Sequence, residues 1–331
     1  MNNIAVSIPG KLFLLGEYAV LAGGPALLTT VDRKIHIHPR ADGDGYRVLG
    51  PSFSNPLHLP ELVAQVLRKE QDLNVEIDNL TVDLREFYTS TGTKLGIGSS
   101  AASTVALVAS LAPELSRQQR FELAFTAHRA LQSGRGSGAD IAASAFGGTL
   151  GYTLLQKSSL FDDLIDFSIP TDALQTKEAL QTSAASIETG LFLPSNLQLH
   201  AVWTGAPAHS LSFIAGVKEA LSTRREAIRD LFGSIAQNSR SGITALHNDD
   251  ASTFIETIRQ GDQLMEQLGT LCDLPIITDI HRELRALAES AGLTAKPSGA
   301  GGGDFSLIAG SAGIPLPPKI KDNYLTLTIA P

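Results

Sequence analysis

Cysteine is almost absent from this chain: Cys272 is the only one among 331 residues. A single cysteine cannot close a disulfide within the chain, so the cysteine content does not indicate an oxidising compartment. Nothing near Cys272 resembles a Cys-His nucleophilic pair, and we interpret it as a small buried apolar side chain. The sequence also lacks any apolar run close to the roughly 18 residues that a membrane span needs.

Basic residues are too few for a nucleic-acid-binding surface. The chain has 26 Lys and Arg against 34 Asp and Glu, a formal net charge of −8, whereas such surfaces are basic. A local positive pocket for an anionic ligand remains compatible with this charge. Near the N-terminus, Ile4, Val6 and Ile8 alternate with smaller residues, which predicts a strand and not a signal peptide. We therefore expect a cytoplasmic protein, a monomer or homodimer, without nucleic-acid or membrane partners.

Apolar residues are abundant enough for a large folded core. They make up 43% of the chain and charged residues 18%, which is typical of globular proteins. Chains of this length usually split into two domains. The stretch 156–186 is rich in Ser, Thr, Asp and Ala with weak periodicity. We place the domain junction at its end, which predicts domains at 1–186 and 187–331 in a mixed α+β protein.

Periodicity and capping signals predict the elements. The expected strands are Ile4–Ile8, Leu12–Leu15, Ile35–His38, Asn74–Leu84, Gly147–Leu155, Gln198–Trp203, Phe305–Ala309 and Tyr324–Ile329. The expected helices are Leu57–Asp72, Ser99–Leu111, Arg117–Gln132 (opened by a capping box of Ser116 and Gln119), Ala139–Phe146, Ser210–Thr223, Arg224–His247, Asp250–Leu271 and Thr278–Gly292.

The segment Lys94–Ala102 reads KLGIGSSAA and runs directly into a predicted helix. Glycines let a backbone approach a ligand closely, and the N–H groups at a helix start attract anions. It is not a Walker A loop, because no Lys-Ser/Thr pair ends it, nor a dinucleotide-binding fingerprint, because the third glycine is missing. A phosphate-binding loop and an ordinary turn with a serine cap both remain open on this segment alone.

Two further glycine-bearing segments lie far from it in the sequence. Pro9–Val20 places Lys11 between Pro-Gly and an aliphatic run, where a charged side chain needs an anionic partner if it is buried. An edge-strand lysine is the ordinary alternative. Lys296–Asp304 has four glycines within five residues, between a predicted helix and a predicted strand. Such a density predicts unusual φ values or close ligand approach, and so favours a site.

Together with Gly134–Asp140, these segments resemble the signature regions of the GHMP kinase family over nearly the whole chain. Pro9–Val20 is similar to the first family motif, Gly96–Ala102 to the second and Ser298–Asp304 to the third. The resemblance implies an ATP-dependent small-molecule kinase that uses Mg²⁺. It also implies an α+β fold of two domains, the first like domain 2 of ribosomal protein S5 and the second ferredoxin-like, with ATP and acceptor meeting in the cleft between them.

Subfamily features narrow the resemblance to phosphomevalonate kinases. They include Trp203-Thr204-Gly205 and the Asp304 that follows three glycines. Mevalonate kinases carry a metal-binding Glu on the helix before the aspartate loop, whereas Ala127–Gln132 contains no acid. The implied acceptor is phosphomevalonate. The alternatives are mevalonate kinase or a different small-molecule GHMP kinase. A catalytically silent binding protein with the GHMP fold is a further alternative.

The resemblance also implies roles for individual residues. The implied catalytic residues are Lys11, Lys94 and Asp140. The implied ATP-binding residues are Gly96, Ile97, Gly98, Ser99, Ser100 and Ala101, with Ser100 also binding the metal. The implied substrate-binding residues are Lys11, Tyr18, Arg135, Ser137, Ser210, Ser298, Gly299 and Ala300. For Arg135 and Ser210 an ordinary loop or cap role stays open, and Asp140 is either a base or a positioning group.

Overall fold

The computed structural model describes residues 5–40, 45–51, 59–132, 136–155, 161, 179–327 and 329. The chain forms two compact units, and neither is one continuous segment. The first consists of Met1–Lys11 and Thr30–Gly147, and the second of Leu12–Thr29 and Gly148–Pro331. Chain order alone does not give this division, because the short segment Leu12–Thr29 packs with the second unit. The domain boundary at residue 186 stays a prediction.

Two long strands belong partly to each unit, namely β1 (Val6–Leu15) and β2 (Pro25–Pro39), which pair with each other. The remaining strands of the first unit are β3 (Arg47–Leu49) and β4 (Leu80–Asp83). β4 pairs antiparallel with the C-terminal half of β2 and parallel with β3. The helices are α1 (Leu59–Gln71), α2 (Ser99–Leu111), α3 (Arg117–Leu131) and α4 (Ala139–Phe146), which pack on one another.

The second unit contains a second set of strands and helices. Its strands are β5 (Thr149–Leu154), β6 (Ala179–Gln181), β7 (Ala185–Leu191), β8 (Leu197–Trp203), β9 (Thr294–Ser298), β10 (Phe305–Ser311) and β11 (Thr326–Leu327). Its helices are α5 (Ser210–His247), α6 (Ala251–Cys272), α7 (Asp279–Glu289) and α8 (Pro318–Asn323). β5 pairs with the N-terminal half of β2 and with β7, and β6 extends that sheet.

A four-stranded antiparallel sheet in the order β11-β8-β10-β9 organises the rest of the second unit. Helices α6 and α7 contact its strands β9 and β10. One side is sealed by an apolar cluster that includes Val202, Leu284, Leu293, Ile308 and Ile320. The described helices include none with the length and apolar character required to cross a membrane.

Most predicted helices are confirmed, and the expected break in the longest one is visible. Helix α5 is continuous in hydrogen bonding, but Arg224 has non-helical dihedrals (φ −129°, ψ 28°). The sequence predicted separate helices that meet at this residue. The Arg224 guanidinium donates to the Leu271 carbonyl, which supports the chain at the break.

Several strand predictions were wrong in extent. Ile35–His38 lies within the much longer strand Pro25–Pro39, and within Tyr324–Ile329 the strand covers Thr326–Leu327. Ile4–Ile8 and Leu12–Leu15 were expected as a pair, but one strand runs from Val6 to Leu15 through Pro9-Gly10. Proline is tolerated where its missing N–H is not needed for the ladder. Asn74–Leu84 shortens to Leu80–Asp83. The glycine-rich segment lies between strands β9 and β10, not between a helix and a strand.

Candidate active site

The loop before α2 is shaped by two glycines with left-handed backbone. Gly96 has φ 79° and Gly98 has φ 82°, values that other residues rarely adopt. Gly98 is the N-cap of α2 and has no side chain to satisfy the first N–H groups of the helix. Those N–H groups and the positive end of the helix dipole make this helix start suitable for an anion.

The two serines that open α2 differ in accessibility. Ser99 is 1% exposed, and its buried Oγ has no hydrogen-bond partner among the described residues. Ser100 is the single residue of α2 that is not buried. Its carbonyl accepts a 2.8 Å hydrogen bond from the Thr104 hydroxyl further along the helix. Ser100 is therefore the residue of this helix whose side chain has surface for a ligand.

Lys11 joins the glycine loop to an acidic residue on another helix. It is 7% exposed, and its backbone N–H donates to the Ile97 carbonyl at 2.9 Å. A Cβ on Gly98 would lie 3.0 Å from Lys11 Cε, so the absence of a side chain there makes room for the lysine. The Lys11 ammonium lies 3.2 Å from Asp140 Oδ1.

Asp140 lies in the first turn of α4, after a second helix start built on glycine. The N-cap Gly138 is left-handed with φ 78°. The Ser137 Oγ is buried and accepts from the Ala139 N–H at 3.3 Å. The side chain of Asp140 is 35% exposed, so its carboxylate combines a nearby ammonium with access to solvent.

A buried histidine lies behind this aspartate loop. Burial lowers the pKa of His128, and the charge of Asp140 opposes that shift. The imidazole Nε2 is 3.3 Å from Gln132 Nε2. A Cβ on Gly136 would lie 2.5 Å from Gln132 Oε1, so the loop fits closely against this glutamine. The pair His128 and Gln132 supports the loop that presents Asp140.

A second group of predicted residues comes together within the second unit, around the loop between β9 and β10. Ser298 is buried, and its hydroxyl donates to the Phe13 carbonyl at 2.8 Å. Gly299 has φ 78°. The Ala300 carbonyl accepts from the Tyr18 hydroxyl at 2.6 Å. The third glycine segment is thus attached to residues of the first one.

Two residues that the sequence reasoning did not select lie at the same place. Lys296 and Glu17 form an ion pair with 2.5 Å between Nζ and Oε1, and their side chains are 0% and 5% exposed. Both residues stood inside or beside the glycine segments in the sequence. The signal that could have identified them is a lysine and a glutamate each embedded in apolar motif residues, because such charges must be paired when buried.

Comparison with known proteins decides the family. The family model for the GHMP kinases N terminal domain matches residues 61–148. A curated phosphomevalonate kinase of a Streptomyces species is 31% identical, over 92% of this chain and 89% of that protein. The chain belongs to the GHMP kinase family.

Two more distant similarities agree with this assignment. A curated phosphomevalonate kinase of Saccharolobus solfataricus is 24% identical, over 93% of this chain and 90% of that protein. The solved structure of Streptococcus pneumoniae phosphomevalonate kinase in complex with phosphomevalonate and AMPPNP is 21% identical. That structure superimposes with a TM-score of 0.76 over 99% of this GHMP kinase and 100% of the other chain. The expectation of a GHMP kinase fold is confirmed.

The remaining predicted site residues of this GHMP kinase are placed as follows. Lys94 is exposed, and its backbone pairs with Tyr88 across the loop that leads to Gly96. Ser210 is the exposed first residue of α5. Arg135 lies outside the described residues. The catalytic role expected of Lys94 and the substrate contacts expected of Ser210 and Arg135 stay predictions.

Oxygen donors that suit Mg²⁺ lie at both glycine-capped helix starts of the first unit. The described part of the chain contains no group of three or more His, Cys, Asp or Glu that could hold a metal ion by itself. Mg²⁺ at kinase sites commonly needs only one or two protein ligands, since phosphate oxygens and water complete its shell. The accessible Ser100 at the helix start and the partly exposed Asp140 carboxylate are oxygen donors that fit such a shared ion.

Proposed function

We propose that this GHMP kinase transfers the γ-phosphoryl group of ATP to phosphomevalonate and produces diphosphomevalonate. The family membership and the phosphomevalonate kinase relatives support this assignment. The observation that carries the phosphoryl-transfer activity is the position of Lys11. This lysine contacts the backbone of the glycine loop and pairs with Asp140.

The first unit would bind the triphosphate of ATP. The left-handed glycines Gly96 and Gly98 bring the backbone close to the phosphates, and the start of α2 supplies N–H donors. The residues assigned to this loop are those that the sequence predicted, Gly96, Ile97, Gly98, Ser99, Ser100 and Ala101. Ser100, with its open surface, would bind Mg²⁺, which offsets phosphate charge when bound.

Phosphoryl transfer requires positioning and charge neutralisation more than covalent help from the protein. An oxygen of the acceptor forms the new bond to the γ-phosphorus, while the bond from that phosphorus to the bridging oxygen of ADP breaks. The Lys11 ammonium is a donor for the charge that develops on the transferring group. Lys94 is assigned to the same task from the opening of the glycine loop.

With a phosphate as the acceptor, Asp140 acts through its negative charge and not as a general base. The second pKa of a phosphate monoester is about 6, so an acceptor oxygen is already ionised at neutral pH. Asp140 holds the Lys11 ammonium in place and orients the acceptor without taking a proton. An alcohol acceptor such as mevalonate would instead need its hydroxyl proton removed.

The acceptor would be held by the second group of residues. The glycine loop that follows Ser298 begins with the left-handed Gly299 (φ 78°), and Ser210 begins the long helix α5. Helix starts and glycine-rich turns both suit a phosphate or a carboxylate. Ser137 and Arg135 are assigned to the acceptor from the sequence.

The proposal is tested by ADP release from the purified protein with phosphomevalonate and with mevalonate in separate reactions. We expect kcat/KM for phosphomevalonate to exceed that for mevalonate by at least about 100-fold, since a buried or cradled anion site left empty costs several kcal/mol. A preference for mevalonate would overturn the assignment of phosphomevalonate as the acceptor, but the protein would still be a kinase. No ADP release with either acceptor would indicate a silent GHMP-fold protein.

A further inference from the structure

Three side-chain contacts within the second unit fasten the glycine loop Gly299–Gly303 to the segment that follows Lys11. Lys296 pairs with Glu17, Tyr18 donates to the Ala300 carbonyl, and Ser298 donates to the Phe13 carbonyl. We call Glu17, Tyr18, Lys296 and Ser298 the latch. All four latch residues are buried.

The ion pair of the latch is enclosed. The Lys296 ammonium contacts Glu17 Oε1 at 2.5 Å and the Pro297 carbonyl at 2.7 Å. A Cβ on Gly261 would lie 3.0 Å from Lys296 Cε, so α6 leaves room for the lysine stem only because it has a glycine there. Replacing a buried ion pair by apolar groups is often neutral or stabilising, so stability alone does not account for the pair.

Tyr18 shows backbone strain at the same place. Its φ is 61°, in the left-handed region that a residue with a side chain rarely occupies. Burial raises the pKa of its hydroxyl, and Glu17 adds to that shift, so the phenol stays protonated and remains a donor. Strain of this kind persists where the surrounding contacts fix the residue, and it commonly marks functional positions.

The geometry of one peptide bond links Tyr18 to the loop. A trans peptide is planar, so its C=O and N–H point in opposite directions. Because the Tyr18 hydroxyl holds the Ala300 carbonyl, the N–H of Gly301 is directed away from Tyr18. A flip of this peptide would turn the carbonyl oxygen, with its partial negative charge, toward the side that the N–H now faces. An anion bound there would then be repelled.

The loop is also held from other sides, so the peptide is the part that Tyr18 controls. The Gly302 N–H donates to the Ile276 carbonyl at 2.8 Å. The Asp304 N–H donates to the Ala206 carbonyl, and the Asp304 carboxylate accepts from the Ala208 N–H, both at 2.8 Å. These contacts fix the end of the loop but not the orientation of its first peptides.

We propose that Tyr18 is a positioning residue for the acceptor anion: its hydroxyl locks the Ala300–Gly301 peptide with the N–H directed away from Tyr18 and toward the anion, and the buried Glu17–Lys296 pair holds Tyr18 and the loop start together. This inference rests on the proposed function for the identity of the anion, a phosphate or carboxylate of phosphomevalonate. It assigns Tyr18 an action through the loop and not a contact with the reacting atoms.

The test is Tyr18→Phe, which removes the hydroxyl and keeps the ring. We expect the KM and the directly measured Kd for phosphomevalonate to rise about tenfold, the effect of losing one oriented hydrogen bond. We expect kcat and the Kd for the ATP analogue AMPPNP to stay unchanged. Tyr152→Phe is the matched control, because it removes a hydroxyl from an equally buried tyrosine on β5. Unchanged acceptor affinity in Tyr18→Phe, or equal weakening of both ligands, would overturn the proposal.

The ion pair is tested by Glu17→Gln/Lys296→Met, a double change that leaves no unpaired buried charge. We expect it to weaken the acceptor as Tyr18→Phe does and to leave AMPPNP binding intact. If the double variant does not fold, Tyr18→Phe decides the proposal by itself.

Hydrogen exchange separates failure of this inference from failure of the proposed function. If the wild-type protein does not phosphorylate phosphomevalonate, the acceptor assignment fails, but the latch is still measurable without any ligand. We expect the amides of Gly299–Gly303 to exchange faster in Tyr18→Phe than in the wild type and in Tyr152→Phe. Equal exchange in all three proteins would contradict the lock on the peptide.

Discussion

Lys11 contacts Ile97 and Asp140 in the first unit, and each contact fixes a different part of the lysine. The backbone of Lys11 belongs to the glycine loop through Ile97, which fixes where the side chain starts. The ammonium lies 3.2 Å from Asp140 Oδ1, and this ion pair fixes the position of the positive charge. A charge held at both ends loses little entropy when a substrate arrives, and such preorganisation is a major source of electrostatic catalysis.

Removing either charge of this pair is the first prediction. We expect Lys11→Met and Asp140→Asn each to lower kcat at least about 100-fold, as for other preorganised charged groups. Circular dichroism should show the wild-type fold in both. Asp230→Asn, at an exposed acid on α5, is the control and should keep the wild-type kcat. Wild-type turnover in both site variants would mean that the reaction occurs elsewhere on the protein.

Gly98→Ala is the second prediction, and it separates strain from displacement of Lys11. The change places an alanine at φ 82° and a methyl group 3.0 Å from Lys11 Cε. We expect a loss of about 1–2 kcal/mol in unfolding free energy from the left-handed backbone, together with a large fall in kcat. Gly190→Ala has the same kind of strain (φ 78°) with nothing within 4 Å, so it should lose similar stability and keep its activity. Equal activities of the two variants would contradict the steric account.

His281 gives the third prediction, on stability against pH. Burial lowers the pKa of His281 from 6.5 to about 4. Its Nδ1 accepts from the Thr278 N–H, which a protonated imidazole cannot do. Between these pKa values the unfolded chain binds the proton more readily, so acidification from pH 7 toward pH 4 removes up to about 3 kcal/mol of stability.

The measurement for His281 is urea unfolding at several pH values, compared with His281→Gln. Glutamine at this position of the capping box still accepts from the N-cap N–H and does not titrate. We expect the difference in unfolding free energy between the proteins to change with pH below about 6.5, the pKa of an unfolded histidine. A constant difference would show that His281 is not held neutral.

At the scale of elements, the helices were the predictable part of the fold. Ser99–Leu111 and Ala139–Phe146 were predicted with the bounds that the structure has. Each begins directly after a left-handed glycine, Gly98 or Gly138, so the start of the helix is indicated by the local sequence. The capping box of Ser116 and Gln119 is likewise local, and it is confirmed. Local signals suffice because helix hydrogen bonds join residues close in sequence.

Strands were less predictable because their partners are distant. β9 (Thr294–Ser298) was not expected, since Lys296 and Pro297 are poor strand signals. The strand forms because β10 pairs with it and because the ammonium of Lys296 finds Glu17 almost 280 residues earlier in the sequence. Neither a hydrophobic periodicity nor a capping residue within residues 294–298 indicates these two partners.

The capping box gives the fourth prediction. Ser116 Oγ accepts from the Gln119 N–H, and Gln119 Oε1 accepts from the Ser116 N–H. Ser116→Ala should lower the unfolding free energy by about 1 kcal/mol, the usual cost of losing an N-cap. Because the cap is on the surface of α3, kcat should not change. Ser222→Ala, at an exposed serine within α5, is the control and should change neither quantity.

At the scale of the whole molecule, the predictable part of the site is the part that lies in contiguous motifs. Gly96–Ala101 and Asp140 were predicted from short segments, and in the structure Lys11 contacts Ile97 of that loop and Asp140. What a linear pattern does not contain is the exchange of Leu12–Thr29 into the second unit. Because Leu12–Thr29 packs in the second unit, Glu17 and Tyr18 lie beside the third glycine segment and form the latch with it.

The family and the acceptor also have different support at this scale. Membership in the GHMP kinases rests on a relative that is 31% identical over 92% of the chain. The proposed acceptor rests on the similarity to curated phosphomevalonate kinases. A phosphate acceptor and an alcohol acceptor give chemically different products, and this difference can be observed directly.

Phosphorus NMR of the product shows directly whether phosphomevalonate accepts the phosphoryl group. The purified protein is incubated with ATP, Mg²⁺ and phosphomevalonate, and the nucleotides are then removed. We expect the phosphomonoester signal to be replaced by two mutually coupled signals of a new diphosphate, in amounts equal to the ADP formed. An unchanged monoester signal with phosphomevalonate, together with a new monoester signal when mevalonate replaces it, would show that mevalonate is the acceptor and that the proposed function is wrong.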